Sequence, residues 1–149
     1  MPSNSLSQEE ANRLMAMDKF PANDRSSEFP FIGGMLEIDL VNYEEREEFI
    51  LNYRQNSINL KKRNHLLRGQ QVIALARLDL DGTPHRNPDG QEIGPRHIHL
   101  YKEGFADKWA YEIPLEAFSN LDDAYKTFED FMSYCNVVKF PNLERGLFS

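Results

Sequence analysis

The sequence predicts a single α+β domain over residues 1–149, an antiparallel sheet of about five strands packed with helices in the order α-β-α-β-β-β-β-α. Three observations carry this. A chain of 149 residues with 40% apolar content and ten Phe can bury a core without metals or disulfides. Its middle alternates apolar and polar residues with period two between turn-forming clusters. Its C-terminal part carries an apolar stripe at helical spacing.

Taken in order, a first helix is expected over residues 8–19. Ser7 and Glu10 stand at capping-box spacing, Leu14 and Met15 begin an apolar face, and Pro21 stops it. Residues 20–34 mix turn formers with Phe and read as a packed loop. Leu36, Ile38 and Leu40 alternate with Glu37 and Asp39, which predicts a strand at 35–41. A second helix is expected at about 43–54. It starts at Asn42 and places Glu44 and Glu45 in the first turn, where the helix dipole favours acids. Strands follow at about 57–67 and 71–80, joined as a hairpin near Arg68 and Gly69. A loop over 81–95, stiffened by Pro84, Pro88 and Pro95, leads to strands at 96–102 and 108–113. Leu121, Ala124, Tyr125, Phe128, Phe131, Met132 and Cys135 form the stripe of a last helix, with Asn120 as its cap. Consecutive strands on short links imply antiparallel pairing.

Charge is segregated along the chain. The net charge is −7, yet residues 49–78 hold six bases (Arg54, Lys61, Lys62, Arg63, Arg68, Arg77) and no acid. Such a run is either a salt-bridge partner for the flanking acids or a patch for a polyanion. The single Cys135 and the lack of an apolar signal core in MPSNSLSQEE lead us to expect a reducing, cytoplasmic setting. No apolar run is long enough for a membrane span, so no membrane partner is expected, and the oligomeric state is left open.

Alternation along strands assigns side chains to faces. On this basis Ile58, Leu60, Leu66, Ile98 and Leu100 face the core, and in the third strand Val72, Ala74, Ala76, Leu78 and Leu80 point one way while Ile73, Leu75, Arg77 and Asp79 point the other. The opposite face is expected to gather Lys61, Arg63, His65, Arg77, Asp79, His97, His99 and Tyr101, with His85 held nearby by the loop. Cations, imidazoles and a phenol are the groups that hold a phosphodiester and move its protons. In that case His97 and His99 serve as acid and base, and Arg77 holds the phosphate. The same face can also be only the solvated side of a sheet. A third reading starts from His97 and His99, which at i and i+2 on a strand can ligate one ion, with His85, Asp79, Asp81 or Glu103 completing the set. No complete ligand set at standard spacing is present, so no cofactor is expected and no metal is expected to be needed for folding. His97, His99 and Glu103 are spaced as in the first cupin motif, but Gly90 falls one residue too early and no second motif follows. No P-loop, GxGxxG, GxSxG or CxxC occurs.

The stretch RLDLDGTPHRNPDGQEIGPRHIHLYKEGFADKWAYEIP, with FEDFMSYC behind it, resembles the central signature of uncharacterised proteins carried by bacterial prophages and other mobile elements. The resemblance covers about residues 77–135 and implies a prophage setting without implying an activity. From it we expect an accessory protein that binds a host protein or ribonucleoprotein, as a defence inhibitor or toxin–antitoxin component. A metal-independent phosphodiesterase or ribonuclease working from the basic, His-containing face is the alternative, with RNA or another polyanion as partner. A metal-binding protein acting through His97 and His99 is the second alternative.

Overall fold

The computed structural model describes residues 5–145; the first and last four residues, including part of the polar N-terminal stretch, lie outside this range. Helix α1 (Gln8–Ala16) leads into β1 (Phe20–Pro21), β2 (Ser26–Glu28), β3 (Gly34–Asn42), β4 (Glu47–Gln55) and β5 (Arg63–Gly69). Then come β6 (Ile73–Leu80), β7 (His85–Arg86), β8 (Glu92–Ile93), β9 (His97–Leu100) and β10 (Ala110–Tyr111). Helix α2 (Ala124–Tyr134) and β11 (Asn142–Glu144) close the chain. The class is α+β, with seven strands in the main sheet where about five were expected. Their order is β1-β3-β4-β5-β6-β9-β10, and every neighbouring pair is antiparallel. β2 pairs with β11 in parallel, and β7 with β8 forms a small hairpin. No helix among the described residues is long and apolar enough to cross a membrane.

The alternation expected at 35–41 holds, since Leu36, Ile38 and Leu40 are buried and Glu37 and Asp39 are exposed. The expected helix at 43–54 is instead a tight turn and a strand. Phe49, Leu51, Tyr53 and Gln55 are buried on one side of β4, while Glu48 and Arg54 are exposed on the other, which is a period of two. The Asn42 side chain accepts the Glu45 amide at 3.0 Å, and Arg46 adopts a positive φ of 56°. An Asx side chain closes a turn with the same bond that caps a helix, so the sequence signal is shared.

A second correction concerns the strand expected at 57–67. Residues 56–62 form a loop in which Asn56 Oδ1 accepts the Ile58 and Asn59 amides, and β5 starts only at Arg63. Its parity is the reverse of the expected one. Arg63, His65 and Leu67 are buried on the helix side, and Ile58 and Leu60, expected in the core, are exposed. In β6 the expected faces hold from Ala76 onward and fail before it, where Val72 is exposed and Ala74 only half-buried. An irregularity opposite Leu67 and Arg68 sets Arg68 against Ala74, and Ile73 and Leu75 are buried as well.

Both helices pack on the same sheet face. Leu14 of α1 comes close to Gly69, where an added Cβ would also lie 3.0 Å from Leu75. Phe128 of α2 sits among Phe29, Tyr53 and His65. Ser7 caps α1 by accepting the Glu10 amide, as expected, but the helix ends at Ala16. Asp123, not Asn120, caps α2 by accepting the Lys126 amide. Phe128 and Met132 are fully buried, and Leu121 and Tyr125 only half-buried. Lys19 is buried where both helices end, its Nζ donating to Met15 O, Met17 O and Cys135 O at 2.9 Å each. Those carbonyls are the orphan acceptors that helix C-termini leave. Burial pushes this ammonium down to about 8.

Truncating Phe128 to Ala should cost about 3–5 kcal/mol in chemical denaturation, because the site is closed on all sides; an unchanged midpoint would show α2 is not packed as described. His65 gives a pH signature. It is fully buried among Tyr53, Phe128 and Phe131, neither ring nitrogen has a hydrogen-bond partner among the described residues, and burial with the nearby Arg63 charge pushes it down to about 3. The unfolded chain takes up a proton near pH 6.5 that the folded chain refuses, so this group withdraws stability as pH falls from about 6.5 toward 3. Wild type should lose about 2 kcal/mol from this source by pH 5. His65→Phe should lack that loss; the same acid limb in the variant would assign it to other groups.

Candidate functional site

The open face of the sheet, away from both helices, carries the chemistry at its β6–β9 end. Cross-strand register sets Arg77 opposite His99 and Asp79 opposite His97. These four therefore share one face, as the alternation predicts. His97 and His99 are nonetheless 2% and 1% exposed. Two loops cover them: residues 81–95, which contain β7 and β8, and residues 101–109 before β10.

Each imidazole is pinned from behind. His97 Nδ1 lies 2.7 Å from Gly94 O, and His99 Nδ1 lies 2.7 Å from Asp107 O. A carbonyl only accepts, so both Nδ1 atoms carry the proton and both Nε2 atoms point the other way. There they converge on Asp79, whose Oδ2 is 3.3 Å from each Nε2. Asn64 Nδ2 donates to the other carboxylate oxygen at 2.9 Å. Burial opposes charge on Asp79, but the adjacent Arg77 charge and the hydrogen bond from the Asn64 amide favour it, and the carboxyl is held well below the usual range.

Arg77 is the fourth member. Its Nε donates to Asp79 Oδ2 at 3.2 Å, its Nη1 to Asp107 Oδ2 at 2.8 Å, and its Nη2 lies 3.0 Å from His99 Nε2. One lone pair cannot accept from Arg77 and also face Asp79 as a donor. The shorter contact decides that His99 Nε2 accepts from Arg77. His85 closes the outer side, its ring 4.6 Å from His99 and 5.8 Å from His97, while its Nε2 donates to Lys108 O at 2.7 Å. Asn87 holds this loop to β10 by donating to Ala110 O at 2.9 Å and accepting the Ala110 amide at 2.8 Å.

Of the residues expected here, Arg77, Asp79, His85, His97 and His99 come together. Four do not. Arg63 and His65 lie on the helix side, where the Arg63 guanidinium donates to Leu121 O. Lys61 sits in the 56–62 loop. Tyr101 lies past the end of β9 and turns toward α1, its hydroxyl bonded to the Leu6 amide and carbonyl at 2.7 and 2.8 Å. Asp81 is engaged by Arg96 at 2.9 Å through both oxygens, and Glu103 accepts the Gln8 amide, so neither completes the His pair. Asn64 and Asp107 were not foreseen. Asp107 stands eight positions beyond His99 with no spacing signal, and Asn64 enters because the two faces of β5 are the reverse of those that polarity assigns, which sets Asn64 opposite Asp79.

A protein-family model described as a family of unknown function (DUF6978) matches residues 6–137. No curated protein and no solved structure matches the chain.

Asn87→Ala should free the covering loop. Removing a buried, doubly bonded amide should cost about 1–3 kcal/mol. In diethyl pyrocarbonate labelling read by mass spectrometry, His85 should react first in the wild type and His97 and His99 should become reactive in the variant. Unchanged protection would mean that Asn87 does not hold the loop.

Proposed function

We propose that this chain, which belongs to the family of unknown function (DUF6978), is a metal-binding protein whose divalent ion is held by Asp79, His97 and His99 on the open sheet face. The observation that carries this is the convergence of three electron-pair donors. Their ligand atoms all lie within 4.8 Å of one another, and both nitrogen-to-oxygen separations are 3.3 Å. Donors about 2.0–2.1 Å from one tetrahedral ion are about 3.3 Å apart, which the two nitrogen-to-oxygen edges match; the edge between the two imidazole nitrogens, within 4.8 Å, closes by rotation of the rings. The carbonyls behind His97 and His99 fix the ring orientation and the tautomer in the way that outer-shell partners of metal-bound imidazoles do. Two nitrogens and one carboxylate suit zinc or iron(II) in preference to calcium or magnesium.

Arg77 is a monovalent stand-in for that ion. It reaches Asp79 and His99 but not His97. A metal satisfies all three donors at once, and Arg77 can keep its bond to Asp107 while its other nitrogens swing away. The phosphodiesterase alternative has less support. All three guanidinium nitrogens of Arg77 are engaged internally, and the two His are too buried for a polynucleotide to reach. The setting in prophages and in the cytoplasm, and the accessory role there, belong to the same proposal and rest on the central signature and on the single Cys135.

Calorimetric titration of the metal-free protein with zinc should show one equivalent bound. His97→Ala and Asp79→Ala should abolish it. Arg77→Met should tighten it, because the competing cation is removed. The sheet should fold without metal, and its melting temperature should rise when metal is added, since the ligand binds only the folded chain. Absent binding, or binding that survives loss of His97 and His99, sinks the proposal.

A further inference from the structure

The acid-free run at 49–78 does not form the expected patch on the sheet face. Arg63 is buried, Arg68 pairs with Glu37, and Arg77 pairs with Asp79 and Asp107. The three remaining bases, Arg54, Lys61 and Lys62, are exposed, and none has a salt bridge among the described residues. All three sit at one end of the sheet, where the 56–62 loop meets the 30–34 loop. Gly33 makes that approach possible: at φ 95° it carries no Cβ, and one placed there would lie 2.6 Å from Ser57 Cα. Gln55 ties the loops by accepting the Gly33 amide at 2.8 Å and donating to Leu60 O at 2.9 Å.

The same end displays apolar side chains that a solvated loop has no reason to carry. Ile58 is 95% exposed, Met35 71%, Ile32 64% and Leu60 43%. Met35 is the cross-strand partner of Arg54, so apolar and basic groups interleave. A groove of about 320 Å³ opens beside them, lined by Phe29, Phe31, Ile32, Met35 and Arg145, with Glu28 as the acid at its edge. Exposed apolar residues gathered within a charged rim mark an interaction surface.

We propose that this end of the sheet docks an acidic, amphipathic segment of a partner protein. The partner's apolar side chains cover Ile32, Met35, Ile58 and Leu60 and enter the groove, and its carboxylates meet Arg54, Lys61 and Lys62. Charge complementarity selects the sign of the partner, since residues 29–36 and 49–78 contain no acid and the acids nearest Lys61, Asp81 and Asp122, are both paired with Arg96. The groove selects a protein over a lipid surface, because a concave site takes up a side chain and a bilayer offers only a plane.

The test uses fluorescence anisotropy with two labelled helical peptides of equal length and identical apolar face, one with glutamates and the other with lysines on its polar face. The glutamate peptide should bind the full chain, and the lysine peptide should not. Ile58→Asp and the double change Lys61→Glu/Lys62→Glu should each weaken binding by about tenfold or more, with the melting temperature unchanged. Leu115→Asp, at an exposed apolar residue outside this end, should have no effect. Added salt should weaken the binding. Equal binding of both peptides, binding of neither, or insensitivity to both changes at the sheet end overturns the proposal. Sedimentation with phosphatidylserine vesicles that depends on Ile58, without peptide binding, assigns the surface to membranes and overturns it equally.

Discussion

The pairing of β6 with β9 is the constraint on which the site depends. β6 buries Ala76, Leu78 and Leu80 under the helices and presents Arg77 and Asp79 on its other face; β9 buries Ile98 and presents His97 and His99. A slip of one residue would put a carboxylate and an imidazole into the core and send leucines into the polar cluster. Burying a Leu or Ile side chain contributes about 1.5–3 kcal/mol, and an unpaired charge in the core costs several, so the core enforces the register. The site inherits its geometry from that register. His97, His99 and Asp79 share a face because hydrophobic burial on the far side fixes the pairing of their strands.

Parts of this were legible in the sequence and parts were not, for identifiable physical reasons. The alternation at Leu36, Ile38 and Leu40, the helical stripe around Phe128, and the common face of Arg77, Asp79, His97 and His99 all follow from simple periodicity. β4 was hidden because Asn42 forms the same side-chain-to-amide bond in a turn as at a helix start. In β5, polarity assigns the two faces the wrong way round. Ile58 and Leu60 look like core residues but are exposed, whereas Arg63 and His65 look like surface residues but are buried. Alternation assumes that polarity predicts burial, and here it fails at both ends of one segment. Asp107 joined the site through a loop closure that no local pattern encodes.

The exceptions at β5 reorganise the charge of the whole molecule. A run with six bases and no acid reads as one positive surface. In the fold it divides three ways: Arg63 is held inside by backbone carbonyls, Arg68 is paired with Glu37 across the sheet and Arg77 with Asp79 on its own strand and Asp107 in a covering loop, and Arg54, Lys61 and Lys62 are set out at the sheet end beside exposed apolar side chains. The cluster of Asp79, His97 and His99 and the sheet end are thus chemically separate. One is a small, buried, electron-rich cluster, and the other is an open apolar surface with basic groups. The first suits an ion and the second a macromolecule, which is why the ribonuclease reading, needing both in one place, finds less support than either.

Anomalous diffraction from crystals grown with zinc, collected at the zinc absorption edge, tests the central claim most directly. The account predicts one strong peak on the open sheet face, about 2.0–2.2 Å from His97 Nε2, His99 Nε2 and an Asp79 carboxylate oxygen, with the Arg77 guanidinium displaced toward Asp107. A peak elsewhere, or an Arg77 still seated between Asp79 and His99 with no anomalous signal beside it, would contradict the account and leave the cluster as a hydrogen-bonded support for the covering loops.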